Sequence, residues 1–344
     1  MSDGAQVPQA GHGDAAVGAR VDLGDAALNA AITDGLVKVE SLLRAELNKG
    51  EDFVTDKVMH LAAAGGKRFR PMFALLASNY GDKPLSDDVI KAAVVVEMTH
   101  LATLYHDDVM DEAERRRGVP SANARWNNSV AILAGDILLA HASRLMGELG
   151  APTVLHFADT FGVLVTGQMR ETIGAGAADP IEHYMKVIAE KTGILIASAG
   201  YLGGIHSGAK PEHIKALEAY GSAIGMVFQI VDDFIDIFSD PKESGKTPGT
   251  DLREGVFTLP VLYALAEQTP VGDKLRAMLT GPVTDEEEVA EVLALLHQST
   301  GRERALADVS FHLAEAERAL ESLPDNSTTN ALRTLAQFAA KRVG

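Results

Sequence analysis

The stretch SDDVIKAAVVVEMTHLATLYHDDVMDEA, residues 86–113, is predicted to form one long helix at the centre of the fold. Ser86 fits the N-cap position, and Asp87 and Asp88 fall in the first turn, where the helix dipole favours negative charge. Residues 92–104 are apolar nearly all round, which is typical of a helix surrounded by other helices in a large bundle. The stretch therefore predicts an all-α fold.

Helical patterns continue on both sides of this stretch, and no convincing alternating strand interrupts them. The other helical stretches are 26–47, 127–149 (capped near Asn128 or Ser129), 181–205, 211–238, 258–268, 285–298 and 302–323. We expect roughly ten or more helices around a central apolar cavity, in one domain over residues 26–344. Residues 1–25 lack periodicity and are expected to be a poorly ordered leader, and 239–255 is the clearest irregular segment.

Composition narrows the function classes. The chain has 344 residues, of which 46% are hydrophobic. Its formal net charge of −17 argues against nucleic-acid binding, which needs a positively charged surface. It contains no cysteine, so disulfides, thiolate catalysis and zinc–thiolate sites are excluded. The N-terminus does not resemble a signal peptide, and no run of about 18 apolar residues predicts a membrane span, so a cytoplasmic location is the default expectation.

Two clusters of aspartates share one helical spacing, in which positions three and four apart lie on one face. The clusters are Asp107, Asp108 and Asp111, in residues 104–118, and Asp232, Asp233 and Asp236, in FQIVDDFIDIF, residues 228–238. Like charges at this spacing destabilise a helix, and apolar neighbours place both clusters at the mouth of a buried region. A solvated acidic helix face would explain one such cluster. Two clusters, each inside an apolar helix, favour the interpretation that hard divalent cations neutralise the carboxylates. Oxygen ligands without His or Cys suit Mg²⁺, which typically bridges carboxylates to substrate phosphates.

Basic residues occur in four places, which is notable in so acidic a chain. They are Lys67, Arg68 and Arg70; Arg115, Arg116 and Arg117; Lys191; and Lys246. Arginine forks match phosphate oxygens, although the arginine run 115–117 is also explained as a charge run at a helix C-terminus. His100 and Gln229 fall on the aspartate faces by helical geometry, His100 about 20° away. A lone histidine of this kind is more often a satisfied core residue.

At this point the sequence resembles the trans-isoprenyl (polyprenyl) diphosphate synthase family over nearly all of residues 30–344. The motifs, in the family's order, are GGKRFRP, HDDVMDEAERRRG, LAGDILLA, EKTG, FQIVDDFID and GKTPGTDLREGVFTLP. The resemblance implies the isoprenoid synthase fold and a homodimer. Each subunit is expected to add isopentenyl diphosphate to an allylic diphosphate, with the lipid product handed to a membrane.

The resemblance also implies roles for individual residues. It assigns catalysis to Asp107, Asp108, Asp111, Lys191, Thr192 and Asp232. It also implies that the six aspartates of the two clusters bind Mg²⁺, three ions per active site. It assigns the allylic diphosphate to Arg116, Lys191, Thr192, Gln229 and Lys246. It assigns isopentenyl diphosphate to Lys67, Arg70, His100 and Arg117. The chain departs from many family members at Val256, where they carry Lys, and so lacks one basic side chain of the family pattern.

Product length is predicted from the helix that carries the first cluster. In the family, large side chains four and five positions before the first aspartate close the product tunnel; here these are Thr103 and Ala102. Both are small, and Thr99 and Met98 lie farther down. We therefore expect a long polyprenyl product of the kind used as a quinone side chain, with a twenty-carbon (geranylgeranyl) product as the runner-up.

The sequence leaves other functions open. A class I terpene cyclase shares the fold and the first cluster, but its second metal site is usually an Asn-Ser/Thr-Glu motif, and it needs no site for isopentenyl diphosphate. A non-catalytic subunit of a heteromeric synthase usually loses one aspartate cluster, whereas this chain keeps both. A structural helical scaffold is the remaining alternative.

Overall fold

The structure, a computed structural model, describes residues 22–239 and 247–341. Its α-helices in chain order are α1 Ala26–Leu47, α2 Asp52–Ala63, α3 Phe69–Ala77, α4 Asp87–Met110, α5 Ala122–Arg125, α6 Asn128–Leu149, α7 Ala151–Ile173, α8 Pro180–Ile188, α9 Ile194–Ser207, α10 Pro211–Phe238, α11 Thr250–Glu254, α12 Leu259–Leu265, α13 Pro270–Met278, α14 Glu286–Leu296, α15 Gly301–Leu320 and α16 Ser327–Ala340. A 3₁₀ turn, Ser78–Tyr80, follows α3. The predicted all-α fold is confirmed.

The central position of α4 follows from its composition. Val94, Val95, Met98 and Leu101 are completely buried or nearly so, and α4 packs against α6, α9 and α3. Ser86 caps the helix as expected, accepting a hydrogen bond from the backbone N–H of Val89. The apolar helix α9 is likewise buried and packs against α10. These helices have no polar face because other helices surround them.

Three local expectations need correction. Asn127, not Asn128 or Ser129, caps α6, since its side chain accepts from the N–H of Val130 at 2.9 Å. The arginine run does not end a helix. Instead, β1 (Arg115–Arg116) pairs with β2 (Val119–Pro120) in a short antiparallel hairpin. Arg117 (φ 52°) and Gly118 (φ 79°) form its left-handed turn, a conformation that tight hairpins favour.

The third correction concerns the stretch between α8 and α9. Residues Ala189–Gly193 form a π-helical turn rather than regular helix, and such turns often mark functional sites. Two glycines let neighbouring helices approach it. A Cβ on Gly167 of α7 would lie 2.7 Å from the backbone nitrogen of Lys191, and one on Gly225 of α10 would lie 2.6 Å from the Cα of Gly193.

The remaining organisation can be stated for the described part of the chain only. Helix α1 begins at Ala26, capped by Asp25, while residues 1–21 of the expected leader lie outside the described residues. By length and hydropathy, α6 is the one helix in 22–239 and 247–341 that could cross a membrane, with 39% of the tested window buried. An apolar helix in the core or at an interface passes the same test.

Candidate active site

One large cavity of about 1120 Å³ opens between α4, α6, α7 and α10. This volume lies just above the usual range for small-molecule sites, so the cavity has room for a large ligand. One end is charged, and the rest is lined mainly by apolar side chains from α4, α6, α7 and α9. The predicted site residues on its wall are Lys67, Arg70, His100, Thr103, Asp107, Arg116, Arg117, Lys191, Thr192, Gln229 and Asp232.

The first aspartate cluster lies at the C-terminal end of α4. Asp107 faces the cavity, and burial raises its pKa to about 6, with Lys191 opposing the rise. Asp108 is fully buried, and its Oδ1 accepts from the Nε of Arg116 at 2.6 Å, while its Oδ2 is buried without a hydrogen-bond partner. Asp111 is exposed at the helix C-cap. The hairpin therefore holds one guanidinium against the cluster.

The second cluster divides into one exposed and two buried carboxylates. Asp232 faces the cavity from α10. Asp233 is buried and accepts hydrogen bonds from the Tyr184 hydroxyl and, at 2.9 Å, from the Nε2 of Gln229; burial raises its pKa to about 7.

Asp236 instead organises the segment after α10. Its carboxylate accepts from the backbone N–H groups of Thr250 and Asp251 at 3.2 and 3.1 Å, and its carbonyl accepts from that of Gly249. The carboxylate thus sits at the N-terminal end of α11, where backbone N–H groups favour negative charge.

The two clusters lie close enough to share a neighbour. Burial raises the pKa of Glu254 on α11, and the nearby charges of Asp111 and Asp236 raise it further. Within 22–239 and 247–341, no three acidic or imidazole side chains converge into a site that could hold a metal alone. Mg²⁺ keeps several waters and binds through one or two carboxylates plus phosphate oxygens, so Asp107, Asp111 and Asp232 fit such an ion. The unpartnered, buried Oδ2 of Asp108 is a further free oxygen at the same place.

The π-helical turn brings two of the predicted residues to the cavity wall. Lys191 pairs with Glu171 of α7 at 2.5 Å, and although burial opposes its charge, Asp107 and Glu171 raise its pKa. Thr192 donates to the side-chain oxygen of Gln229 at 3.0 Å. A fixed ammonium thus lies beside the aspartates, and a hydroxyl–amide pair lies beside Asp232.

A second basic pocket lies behind the aspartates, and its arginines have different roles. Arg68 is buried, and protein acceptors occupy its donors: Glu40 at 3.0 and 3.1 Å, Glu97 at 2.8 Å and two backbone carbonyls. Arg70 by contrast keeps its Nε buried and unpartnered, and burial lowers its pKa to about 10. Arg68 is therefore a structural clamp, and Arg70 is available to a ligand.

His100 and Arg117 complete this pocket. Burial, and then the neighbouring guanidinium of Arg70, hold the pKa of His100 well below its usual value, so the imidazole is neutral. Arg117 donates to the carbonyls of Leu61 and Gly65, and burial lowers its pKa. The pocket is thus a cationic recess with a neutral hydrogen-bonding imidazole, suited to an anion.

Some predicted residues do not reach the cavity wall. Met98, Thr99 and Ala102 are buried in the packing of α4, and the hydroxyl of Thr99 bonds to the carbonyl of Val95. Their predicted role in product length stays a prediction. Lys246 lies outside the described residues. Val256 is 47% exposed and does not line the cavity.

Sequence reasoning missed one whole wall of the cavity. Helix α7 was not among the predicted helices, yet seven of its residues line the cavity: Phe161, Leu164, Val165, Gln168, Met169, Thr172 and Ile173. Their spacing of three and four positions is typical of one face of a helix, so the sequence does contain a signal for α7. Glu97 and Tyr184 were also missed, because their partners are distant in sequence.

Comparison with known proteins gives a consistent result. The family model of polyprenyl synthetases matches residues 51–296. The chain is 53% identical over 331 residues to nonaprenyl diphosphate synthase of Mycobacterium tuberculosis, an alignment that covers 96% of this chain and 99% of that protein.

Solved structures agree with this match. Geranylgeranyl pyrophosphate synthase of Corynebacterium glutamicum, crystallised with calcium and isoprenyl diphosphate, is 66% identical with a TM-score of 0.87, covering 94% of this chain and 100% of that one. Decaprenyl diphosphate synthase of Rhodobacter capsulatus is 33% identical with a TM-score of 0.83, covering 92% and 99%.

Proposed function

The chain belongs to the polyprenyl synthetase family, and from that premise we propose that it condenses isopentenyl diphosphate with an allylic diphosphate in the trans, head-to-tail sense. The observation that carries this is the pairing of two sites in one cavity. Carboxylates of α4 and α10 lie beside Lys191, and the cationic recess around Arg70 lies next to them. A terpene cyclase would need only the first of these sites.

The residues divide the work between the two substrates. Arg116, Lys191 and Gln229 orient the allylic diphosphate at the mouth, while Lys67, Arg70 and Arg117 hold isopentenyl diphosphate in the recess. Neutral His100 donates or accepts a hydrogen bond there without adding charge. Two polyanions are thus held side by side by separate groups of bases, and this orientation lowers the entropic part of the barrier.

Departure of pyrophosphate from the allylic substrate is the difficult step. We propose that Mg²⁺, three ions per site and held by Asp107, Asp108, Asp111 and the second cluster, supplies charge neutralisation to the leaving group when bound. Lys191 adds a fixed positive charge beside it. The isopentenyl double bond attacks the allylic cation, and the new cation loses a proton to the released pyrophosphate. We propose that apolar side chains keep water from the cation and that an oxygen of Thr192, which lines the cavity, stabilises it.

A long polyprenyl product, of the kind used as a quinone side chain, is part of this proposal. The nonaprenyl relative and the large apolar cavity support it. A twenty-carbon product is the second candidate, because the Corynebacterium glutamicum structure is named a geranylgeranyl pyrophosphate synthase at 66% identity. A non-catalytic role is disfavoured, since both aspartate clusters are complete.

The working unit is proposed to be a homodimer in the cytoplasm that passes its lipid to a membrane. Large apolar side chains are exposed on α6 and α7, including Leu133 (59%), Leu155 (67%) and Ile173 (77%). Exposed apolar side chains on neighbouring helices commonly mediate association between copies of a chain.

A product assay tests the function directly. Purified protein, Mg²⁺, labelled isopentenyl diphosphate and farnesyl diphosphate are combined, and lipid length is read by chromatography. We expect long polyprenyl chains, with no product from Asp107→Ala. A product that stops at twenty carbons would support the second candidate. Absence of elongation from every allylic starter would refute the proposed reaction for this chain alone.

A further inference from the structure

We infer that Phe161 on α7, rather than a residue of α4, closes the product end of the cavity and sets the length of the product. This inference rests on the proposed function and names its specificity-determining residue. Three features support it: the length of α7 that lines the cavity, the aromatic ring at the far end of this stripe, and the second ring and hydrogen-bonded side chains beyond that ring.

The direction of the cavity is fixed by its charged end. Lys191 lies beside Asp107 and pairs with Glu171, so the C-terminal end of α7 lies next to the aspartates. From there, lining residues follow α7 back through 168–169 and 164–165 to Phe161. The span from Ile173 to Phe161 is about 18 Å along the helix axis.

Helix α4 follows the cavity over a much shorter distance. From Asp107 towards the N-terminus of α4, the residues that line the apolar part of the cavity end at Thr103. This is a distance of about 6 Å along the helix axis. Its other lining residues, His100 and Glu97, belong to the cationic recess with Arg70. The long axis of the cavity therefore runs along α7, and the small side chain at position 103 leaves it open rather than setting its depth.

Phe161 is the one aromatic side chain at the far end among the described lining residues. The other phenylalanines on the wall, Phe69 and Phe228, contact each other at 4.3 Å between centroids, next to Arg70 and Gln229 at the charged end. The lining residues next along α7, Leu164 and Val165, are aliphatic. An aromatic ring at a position that ends a lining stripe is a large, rigid stop for a growing hydrocarbon chain.

A second ring and a polar layer lie behind this stop. Phe157, one turn earlier on α7, stacks on Phe161 with centroids 5.6 Å apart and an interplanar angle of 8°. One residue before it, His156 bonds through Nε2 to the hydroxyls of Ser198 at 2.9 Å and Thr160 at 3.3 Å. A hydrocarbon chain that displaced these groups would leave buried polar atoms unpaired, which is costly. Extension past Phe161 is thus blocked first by a ring and then by a hydrogen-bonded layer.

The test compares product lengths of variants in the assay described above. Phe161→Ala is expected to lengthen the main product by one isoprene unit or more, and Phe161→Leu by less, because Leu retains part of the bulk. Phe157→Ala/Phe161→Ala is expected to give the longest chains. Phe311→Ala, a change at a 58% exposed phenylalanine outside the cavity, is the matched control and should leave the product unchanged.

The outcomes separate this inference from the proposed function. Active Phe161→Ala and Phe161→Leu proteins with wild-type product length would overturn the assignment of Phe161. Lengthening by Thr99→Ala or Met98→Ala instead would place the floor on α4 and overturn it too. Failure of the unmodified protein to elongate any starter would refute the proposed reaction itself. If Phe161→Ala does not fold, Phe161→Leu still decides the question through its product.

Discussion

Glu97 is the residue whose replacement most sharply tests how the cationic recess is held. Its side chain is 3% exposed; its Oε1 accepts from Arg68 at 2.8 Å and lies 3.8 Å from Arg117. It is also the counter-charge that most raises the pKa of Arg70 against the effect of burial. Glu97→Gln keeps the shape of the side chain but removes the negative charge beneath three guanidinium groups.

The expected cost can be worked from these contacts. Removing one partner of a buried ion pair usually costs about 3–5 kcal/mol. Arg68 keeps two bonds to Glu40, so we expect the lower end, a loss of about 3 kcal/mol in the free energy of unfolding measured with urea. Glu97→Gln also removes the negative charge that offsets the repulsion between the arginines of the recess. The KM for isopentenyl diphosphate should rise about tenfold, equivalent to ~1.4 kcal/mol.

Glu40→Gln is the matched control for this experiment. Glu40 bonds the same guanidinium of Arg68, but its side chain is 15% exposed and does not line the cavity. It should lower stability while leaving both KM values near those of the unmodified protein. In Glu97→Gln the KM for the allylic substrate should also change little. Equal rises for both substrates, or no rise for isopentenyl diphosphate, would refute the positioning role of Glu97.

Three further outcomes are expected. Asp236→Ala removes the acceptor of the Thr250 and Asp251 N–H groups, so hydrogen exchange at both should accelerate; unchanged exchange would show that α11 is held otherwise. Burial lowers the pKa of His156 to about 4, below its unfolded value near 6.5, so its stabilising contribution is complete above pH 6.5 and is lost as pH falls towards 4. The free energy of unfolding, measured at several pH values from 7 to 4, should therefore fall less steeply in His156→Gln than in the unmodified protein. Leu155→Glu puts a charge among the exposed apolar side chains of α6 and α7 and should give a monomer by sedimentation; an unchanged dimer would place the interface elsewhere.

The acidic part of the site could be predicted because it is local. Asp107 and Asp111 share a face through helical spacing alone, and the same holds for Asp232 and Asp236. The cap at Ser86 and the buried character of α4 follow from sequence for the same reason. These features depend on residues within one or two helical turns.

The roles of the bases depended on contacts between distant residues. The family resemblance assigns Arg70 and not Arg68 to a substrate, but the local chemistry of GGKRFRP gives no reason for this choice. The reason lies in Glu40 and Glu97, on other helices, which bond the guanidinium of Arg68 and leave the Nε of Arg70 unpaired. The arginine run likewise became a hairpin turn because Arg116 reaches the buried carboxylate of Asp108, eight positions earlier. Charge spacing along a chain does not contain this information.

The sequence by itself determined an all-α bundle, two aspartate faces and the presence of phosphate-binding bases, since helical periodicity and charge are properties of short stretches. Only the tertiary structure decided the direction of the cavity. Helix α4 could be predicted as a tunnel wall, but the long wall is α7. Gly167 allows α7 to approach the π-helical turn, and Phe161 of the same helix lines the cavity. Which apolar side chains line a cavity, and which pack in the core, depends on the neighbours that other helices supply.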